Sequence, residues 1–353
     1  MTTIGRDASN YAYVNARVRS RWAALLDEED YRTLMRMGPA EIARFLEESE
    51  YQTEIDELAS RHTGVDLVEY ALNRNLAKHC EDLLSWAEGR MDDLLTRYLR
   101  KFDAWNVKTA LRGVYSETDA ATIETDFIRA GELDERTLAQ LGEVNDVGEA
   151  VDVLADTIFG EPLAAAYGDF EESGSLVPLE NATDRAFYEH LLKGLGAATD
   201  SGTREFVKFL QAEIDFRNVR NAFRLARSGA DLDPAEYYIE GGRLFSASEL
   251  NSLVGQRDEL ITRLRDSSYG DELDAALEEI EVEGGSLIAF EHALDAALLS
   301  YSDHLSHIFP LSVCPALAYV LAKEREVDNI RAIARGREVG LSEEEIEEEL
   351  VIL

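Results

Sequence analysis

Proline is scarce in this chain, with six residues in 353. So few helix breakers, in a sequence dominated by Leu, Ala, Glu and Arg, predict an all-α fold. Cysteine occurs only twice, at Cys80 and Cys314. The two thiols are too few and too separated for a zinc site, a disulfide would be unusual in a reducing compartment, and both are read as small buried hydrophobes. No run of about 18 apolar residues occurs, which excludes a membrane-spanning helix, and the N-terminus has no apolar leader stretch. The chain is therefore expected to be soluble and cytoplasmic. Bases are outnumbered: 35 Lys and Arg face 71 Asp and Glu, for a formal charge of −36. No nucleic-acid partner is expected, because phosphate binding needs a basic stripe. Lysine itself is rare, six residues against 29 Arg. A Lys-poor, strongly acidic surface suits a cytoplasm of very high salt, where screening removes self-repulsion.

Recognised phosphate loops are missing as well: neither Gly-x-x-x-x-Gly-Lys-Ser/Thr nor Gly-x-Gly-x-x-Gly after a strand occurs. No cofactor and no direct nucleotide contact is expected. His304-Leu-Ser-His307 offers two imidazoles at i, i+3, which would need two further ligands to hold a metal; they are read as surface or cap residues. Adjacent acids such as Asp92 and Asp93, or the run from Glu343 to Glu349, are what 71 carboxylates produce by chance on solvated faces. No catalytic and no metal site is assigned.

What the chain does have is an internal repeat. Asp103-Ala-Trp-Asn106-Val-Lys108-Thr-Ala-Leu-Arg112 is echoed by Asp215-Phe-Arg-Asn218-Val-Arg220-Asn-Ala-Phe-Arg224 and by Glu326-Val-Asp-Asn329-Ile-Arg331-Ala-Ile-Ala-Arg335, with the asparagines 112 and 111 residues apart. Upstream of each lie two further markers in constant order. The first is Leu46-Glu-Glu-Ser-Glu-Tyr51, Leu154-Ala-Asp-Thr-Ile-Phe159 and Leu264-Arg-Asp-Ser-Ser-Tyr269; the second is Glu69-Tyr-Ala-Leu-Asn73, Glu180-Asn-Ala-Thr-Asp184 and Glu291-His-Ala-Leu-Asp295. A unit of about 110 residues is long enough to own a small core. Three similar helical domains are expected, at 1–118, 119–229 and 230–353.

Before each motif runs an amphipathic helix, clearest in Met91, Leu94, Leu95, Tyr98, Leu99 and Phe102. Past Asp103 the apolar face moves by about half a turn. Either a fresh helix starts there, with Asp103, Asp215 and Glu326 as N-caps, or one continuous helix is buried on two sides. Gly113, Ser228-Gly229 and Gly336 are expected to close the motif helices. Pro39 reads as the first turn of a short helix, and Ser342 as the N-cap of another. The segments from Phe127 to Asp146 and from Gly168 to Pro178 are expected to bear loops. The apolar end Leu350-Val-Ile-Leu353 docks either on a neighbour or on its own domain.

Six of the 35 bases sit in the motif as i, i+4 pairs: Lys108 with Arg112, Arg220 with Arg224, Arg331 with Arg335. Like charges at this spacing disfavour a helix by roughly 0.2–0.5 kcal/mol, which a C-terminal helix dipole can offset. Two readings stay open: a helix-end role, or three pairs lining one opening that meets acidic groups of a partner shaft. Asp103, Asp215 and Glu326, with Asn106, Asn218 and Asn329, share a helical face and are read as buried polar locks.

These three motifs, the opening Tyr11-Ala-Tyr13-Val-Asn15-Ala-Arg17 and the closing Lys323-Glu-Arg-Glu-Val-Asp-Asn-Ile-Arg331 resemble the C subunits of archaeal, A-type ATP synthases, the family that includes the d subunit of vacuolar ATPases. The resemblance spans essentially the whole chain. It implies a non-catalytic part of the central stalk of an ATP synthase. In that family a pseudo-threefold, funnel-like set of helical domains sits on the membrane rotor ring, holds the end of the central shaft and passes torque. A soluble helical scaffold with an unrelated partner is the competing reading.

Overall fold

The computed structural model describes residues 9–196, 200–228, 233–281 and 286–351. Gly229 and the final Ile352-Leu353 lie outside the described residues. Copy one contains α1 (Tyr11–Trp22), α2 (Glu28–Leu34), α3 (Pro39–Glu47), α4 (Gln52–Leu58), α5 (Gly64–Trp86), α6 (Arg90–Leu99) and α7 (Lys101–Tyr115). Copy two contains α8 (Ala120–Thr125), α9 (Glu135–Gly142), α10 (Val147–Val153), α11 (Gly160–Ser173), α12 (Val177–Leu192) and α13 (Ser201–Ser228). Copy three opens with a 3-10 turn at Pro234–Tyr237. It continues through α14 (Ala247–Val254), α15 (Arg257–Arg265), α16 (Gly270–Glu281), α17 (Leu287–Ile308), α18 (Cys314–Val339) and α19 (Glu343–Glu347). No strand occurs among the described residues, so the all-α expectation holds.

The upstream markers do the same job in each copy. Leu46, Leu154 and Leu264 are fully buried, as are the rings of Tyr51, Phe159 and Tyr269. Between them Ser49 and Thr157 return their hydroxyls to the carbonyls of Leu46 and Leu154, both at 2.7 Å. Their oxygens then accept from the backbone N–H of Tyr51 and Phe159, and Ser267 accepts from Tyr269. This ends one short helix and turns the aromatic ring into the core.

The two open readings of the motif helix are divided among the copies. In copy one the helix breaks at Arg100, between α6 and α7; in copies two and three α13 and α18 run unbroken. Asp103 and its counterparts start no helix in any copy. Gly113 and Gly336 are not helix stops either, since α7 runs on to Tyr115 and α18 to Val339, where left-handed Gly340 (φ +82°) closes it. They are close-packing sites: a Cβ on Gly113 would meet Ile123 at 2.5 Å, and one on Gly336 would meet Ile346 at 2.7 Å. Pro39 and the Ser342 capping box start their helices as expected. The 127–146 segment has α9 between two loops, whereas Gly168 lies inside α11 and only residues 174–176 form a loop before α12. Cys80 and Cys314 are buried free thiols.

Each motif helix packs on the copy that follows it. Helix α7 lies on α9, α10 and α12; α13 lies on α14 and α17; α18 lies on α2, α3 and α5. The third contact returns to the first copy, so the packing closes into a cycle.

Candidate functional site: clasps between copies around a shared cavity

The motif asparagines are buried, and each holds one backbone residue with both ends of its amide. Asn106 donates to the carbonyl of Ile128 and accepts from its N–H, both at 2.8 Å. Asn218 does the same to Ile239 (2.8 and 2.9 Å), and Asn329 to Val351 (2.9 and 3.0 Å). The C-terminal end therefore docks on its own chain, with Leu350 and Val351 buried.

The motif acids cap backbone that enters the next unit. Asp103 accepts from the N–H groups of Glu132 and Leu133 at 2.8 and 3.0 Å, directly before Asp134 caps α9. Asp215 accepts from Arg243 and Leu244, shortly before Ser246 caps α14. In copy three Glu326 instead accepts from Leu26 at 2.6 Å, directly before Asp27 caps α2. Burial raises the Asp103 carboxyl to about 6, and its two backbone donors act against that rise.

Glutamate at 326 has a second task. Its other oxygen accepts from the Tyr51 hydroxyl and from Lys323, both at 2.7 Å, and Lys323 also donates to the Tyr51 oxygen at 2.9 Å. Lys323 and Glu326 are almost wholly buried. Such a pair is retained only when each charge keeps its partner, because removal of one leaves the other stranded. This buried pair ties copy three to copy one.

All six motif bases have a partner within the chain. Lys108 donates to Asp184 at 2.7 Å and Arg112 to Glu180 at 2.5 Å, from α7 to α12. Arg220 pairs with Asp295 and Arg224 grips both oxygens of Glu291, from α13 to α17. Arg331 donates to the Asn73 amide oxygen at 2.7 Å and Arg335 grips Glu69, from α18 to α5. The acceptors are the repeated Glu-x-Ala-x-Asn/Asp marker of the following copy. Each clasp thus joins an i, i+4 basic pair to an i, i+4 pair of acceptors on the next helix. Sequence reasoning misses this pairing, although opposite charge at equal spacing in both markers is a signal that could have found it.

Electrostatics grade the two halves of each clasp. Burial works to raise Asp184, but Arg217 and Lys108 outweigh it and hold the carboxyl below its usual range. Asp295 is likewise held down by Arg220 and Arg325 against its burial. These two inner pairs are charged and partly buried, whereas in the third clasp Arg331 meets the neutral Asn73 amide. Arg112, Arg224 and Arg335 are 58%, 54% and 60% exposed. Each outer pair therefore contributes only about 0–1 kcal/mol after solvent screening.

The inner halves face a cavity of about 320 Å³ where α7, α13 and α18 approach one another. Its lining follows the repeat register: Leu76, Phe187 and Leu298; Ala104, Phe216 and Val327; Lys108, Arg220 and Arg331. Six bases and five acids line it, against a chain in which acids outnumber bases two to one. The exposed ends Arg112, Arg224 and Arg335 are not part of that lining. Elsewhere, His307 engages the Asp303 carbonyl at 2.9 Å, and no group of three or more metal-ligating side chains occurs among the described residues. No helix of the described residues is long and apolar enough to cross a membrane.

Comparison with known proteins matches nearly the full length of the chain. The family described as ATP synthase (C/AC39) subunit matches residues 14–349. The C subunit of the A-type ATP synthase of Haloferax volcanii is 61% identical over 353 residues, covering all of both chains. Its counterpart in Halobacterium salinarum is 59% identical over 347 residues, 98% of each chain, and that of Methanosarcina mazei 34% over 351 residues, 99% of this chain and 94% of the relative. Matched over nearly its whole length, the chain belongs to the ATP synthase C/AC39 family.

Proposed function

We propose that the chain is a non-catalytic component of the central stalk of an A-type ATP synthase, joining the rotor shaft to the membrane rotor ring on the cytoplasmic side and passing torque between them. In this reading the three helical units, 1–118, 119–229 and 230–353, stand around a pseudo-threefold axis in a funnel-like arrangement, and the shaft end enters the shared cavity. The observation that carries it is the closed cycle of clasps, α7 to α12, α13 to α17 and α18 to α5. A part loaded in torsion must resist sliding between its units, and directional charge-assisted bonds at each junction do that better than apolar contact alone. Lys108, Arg220 and Arg331 line the seat, and Arg112, Arg224 and Arg335 secure its walls.

The test is capture of the tagged full-length chain from native membranes, with identification of the co-purifying proteins. Shaft and ring are expected together. Replacing Lys108, Arg220 and Arg331 by Gln is expected to reduce shaft recovery per folded molecule, with thermal melts run alongside to separate binding from folding. Recovery of neither shaft nor ring by the unmodified chain would sink the proposal.

A further inference from the structure

A socket repeated three times presents a difficulty to any single, asymmetric partner. If the partner read only the repeated features, it would fit in three settings a third of a turn apart with equal affinity. A joint that carries torque through such a socket would have no defined angle. The symmetry must be broken by side chains that reach the cavity, keep part of their surface open to it, and differ among the copies.

The lining differs by copy at several positions; one is Phe102 against Arg325, but Arg325 is held by Asp295 at 2.9 Å. At the inner layer, Lys101 donates to Glu324 at 2.7 Å, and Glu213 is buried beneath the hydroxyls of Tyr98 and Tyr188 at 3.0 and 2.8 Å. That layer is closed on itself. One turn further on, the equivalent positions are Trp105, Arg217 and Asp328, all facing the cavity. Trp105 is 42% exposed. Arg217 is a third exposed, resting over the Tyr188 ring with Asp184 at 3.4 Å. Asp328 is half exposed, with Arg331 at 3.0 Å. An aromatic ring, a cation and an anion thus occupy the same place in the three walls.

We propose that Trp105, Arg217 and Asp328 act as a key that admits the partner in one rotational register of three. This rests on the proposed seating of the shaft in the cavity and adds its angle. The occupant it calls for is a protein end with an apolar or cationic face toward Trp105, an acidic group toward Arg217 and a basic group toward Asp328. Turning that end by one third would set acid against Asp328 or base against Arg217, and such like-charge contacts discriminate more sharply than lost attractions. The near balance of charge in the lining, in a chain of formal charge −36, makes the cavity the place where an acidic partner can approach without general repulsion.

Site-specific cross-linking in the assembled complex tests the key. W105C, R217C and D328C are made one at a time in the full-length chain, whose native Cys80 and Cys314 are buried. Each is labelled with a thiol-directed photo-cross-linker and assembled with the shaft proteins of the same complex, and the cross-linked peptides are identified. Three positions giving three non-overlapping peptide sets on the shaft is the expected result. One common set from all three positions would overturn the key and leave the seat intact. No shaft peptide from any position, in complexes shown to contain the shaft, would overturn seat and key together. The exchange variant W105D/D328W keeps the composition and moves two of the three marks. It is expected to weaken shaft binding at least tenfold at unchanged melting temperature, and unchanged affinity would also overturn the key.

Discussion

An asparagine amide carries a donor and an acceptor side by side, which is what a backbone residue offers to its neighbour in a sheet. Asn106, Asn218 and Asn329 use both on one residue; aspartate would lack the donor and glutamine would overshoot by a methylene. Their burial is legible from the recurrence on one helical face. Their partners are not, because extended segments 21 or 22 residues away carry no side-chain signal. His79 has no mark in the sequence at all. It is buried with one ring nitrogen 2.9 Å from Arg21 and the other on the Tyr319 hydroxyl. Burial, then Lys323 and Arg21, push its pKa down to about 2. The folded ring thus stays neutral while the unfolded one takes up a proton near pH 6.5, so stability from this group is present above 6.5 and is lost as pH falls toward 2. Between pH 6 and 5 the unfolding free energy should drop by up to about 1.4 kcal/mol per pH unit through this residue. Urea titrations of wild type and His79→Gln check it: the variant should be less stable at pH 7 but have a flatter profile, and equal slopes would refute the assignment.

At the scale of elements, the C-terminal tail completes copy three with the parts that open copies two and three. Asp119-capped α8 sets Ile123 on Gly113, and Ser342-capped α19 sets Ile346 on Gly336. Val351 then receives Asn329 as Ile128 receives Asn106. A glycine that admits a neighbour and a glycine that ends a helix look alike in sequence, which is why Gly113 and Gly336 read as stops there. The locks on Ile239 and Val351 have the same geometry. Losing either amide leaves an N–H and a carbonyl unpaired, at roughly 1–3 kcal/mol for each group that stays buried. Asn218→Ala and Asn329→Ala should each destabilise by an amount in that range, and Asn329→Ala should raise hydrogen exchange over residues 343–351. Denaturant melts unchanged in both variants, with unaltered exchange over residues 343–351, would contradict this account.

For the whole molecule the governing quantity is the charge of −36. Relatives at 59–61% identity come from Haloferax, Halorubrum and Halobacterium, in accord with the high-salt reading of the composition. With a screening length near 3 Å at about 1 M salt and near 30 Å at about 0.01 M, dilution exposes every carboxylate to many others. The melting temperature followed by circular dichroism should fall steeply from multimolar to millimolar NaCl, and an unchanged melt would refute a salt-dependent fold. Composition and spacing were enough, by themselves, to determine the helical class, the triplicated order and the residues that recur, because local propensity and repetition are written along the chain. Only the tertiary structure decided that the unit is completed by its successor. Glu326 reaches Leu26 and Arg335 reaches Glu69 across nearly the whole sequence, and a linear repeat gives no sign that its last copy must close on its first. That choice belongs to packing: each motif helix leaves a polar, half-buried face that only the next unit can satisfy, and for the third copy the next unit in space is the first.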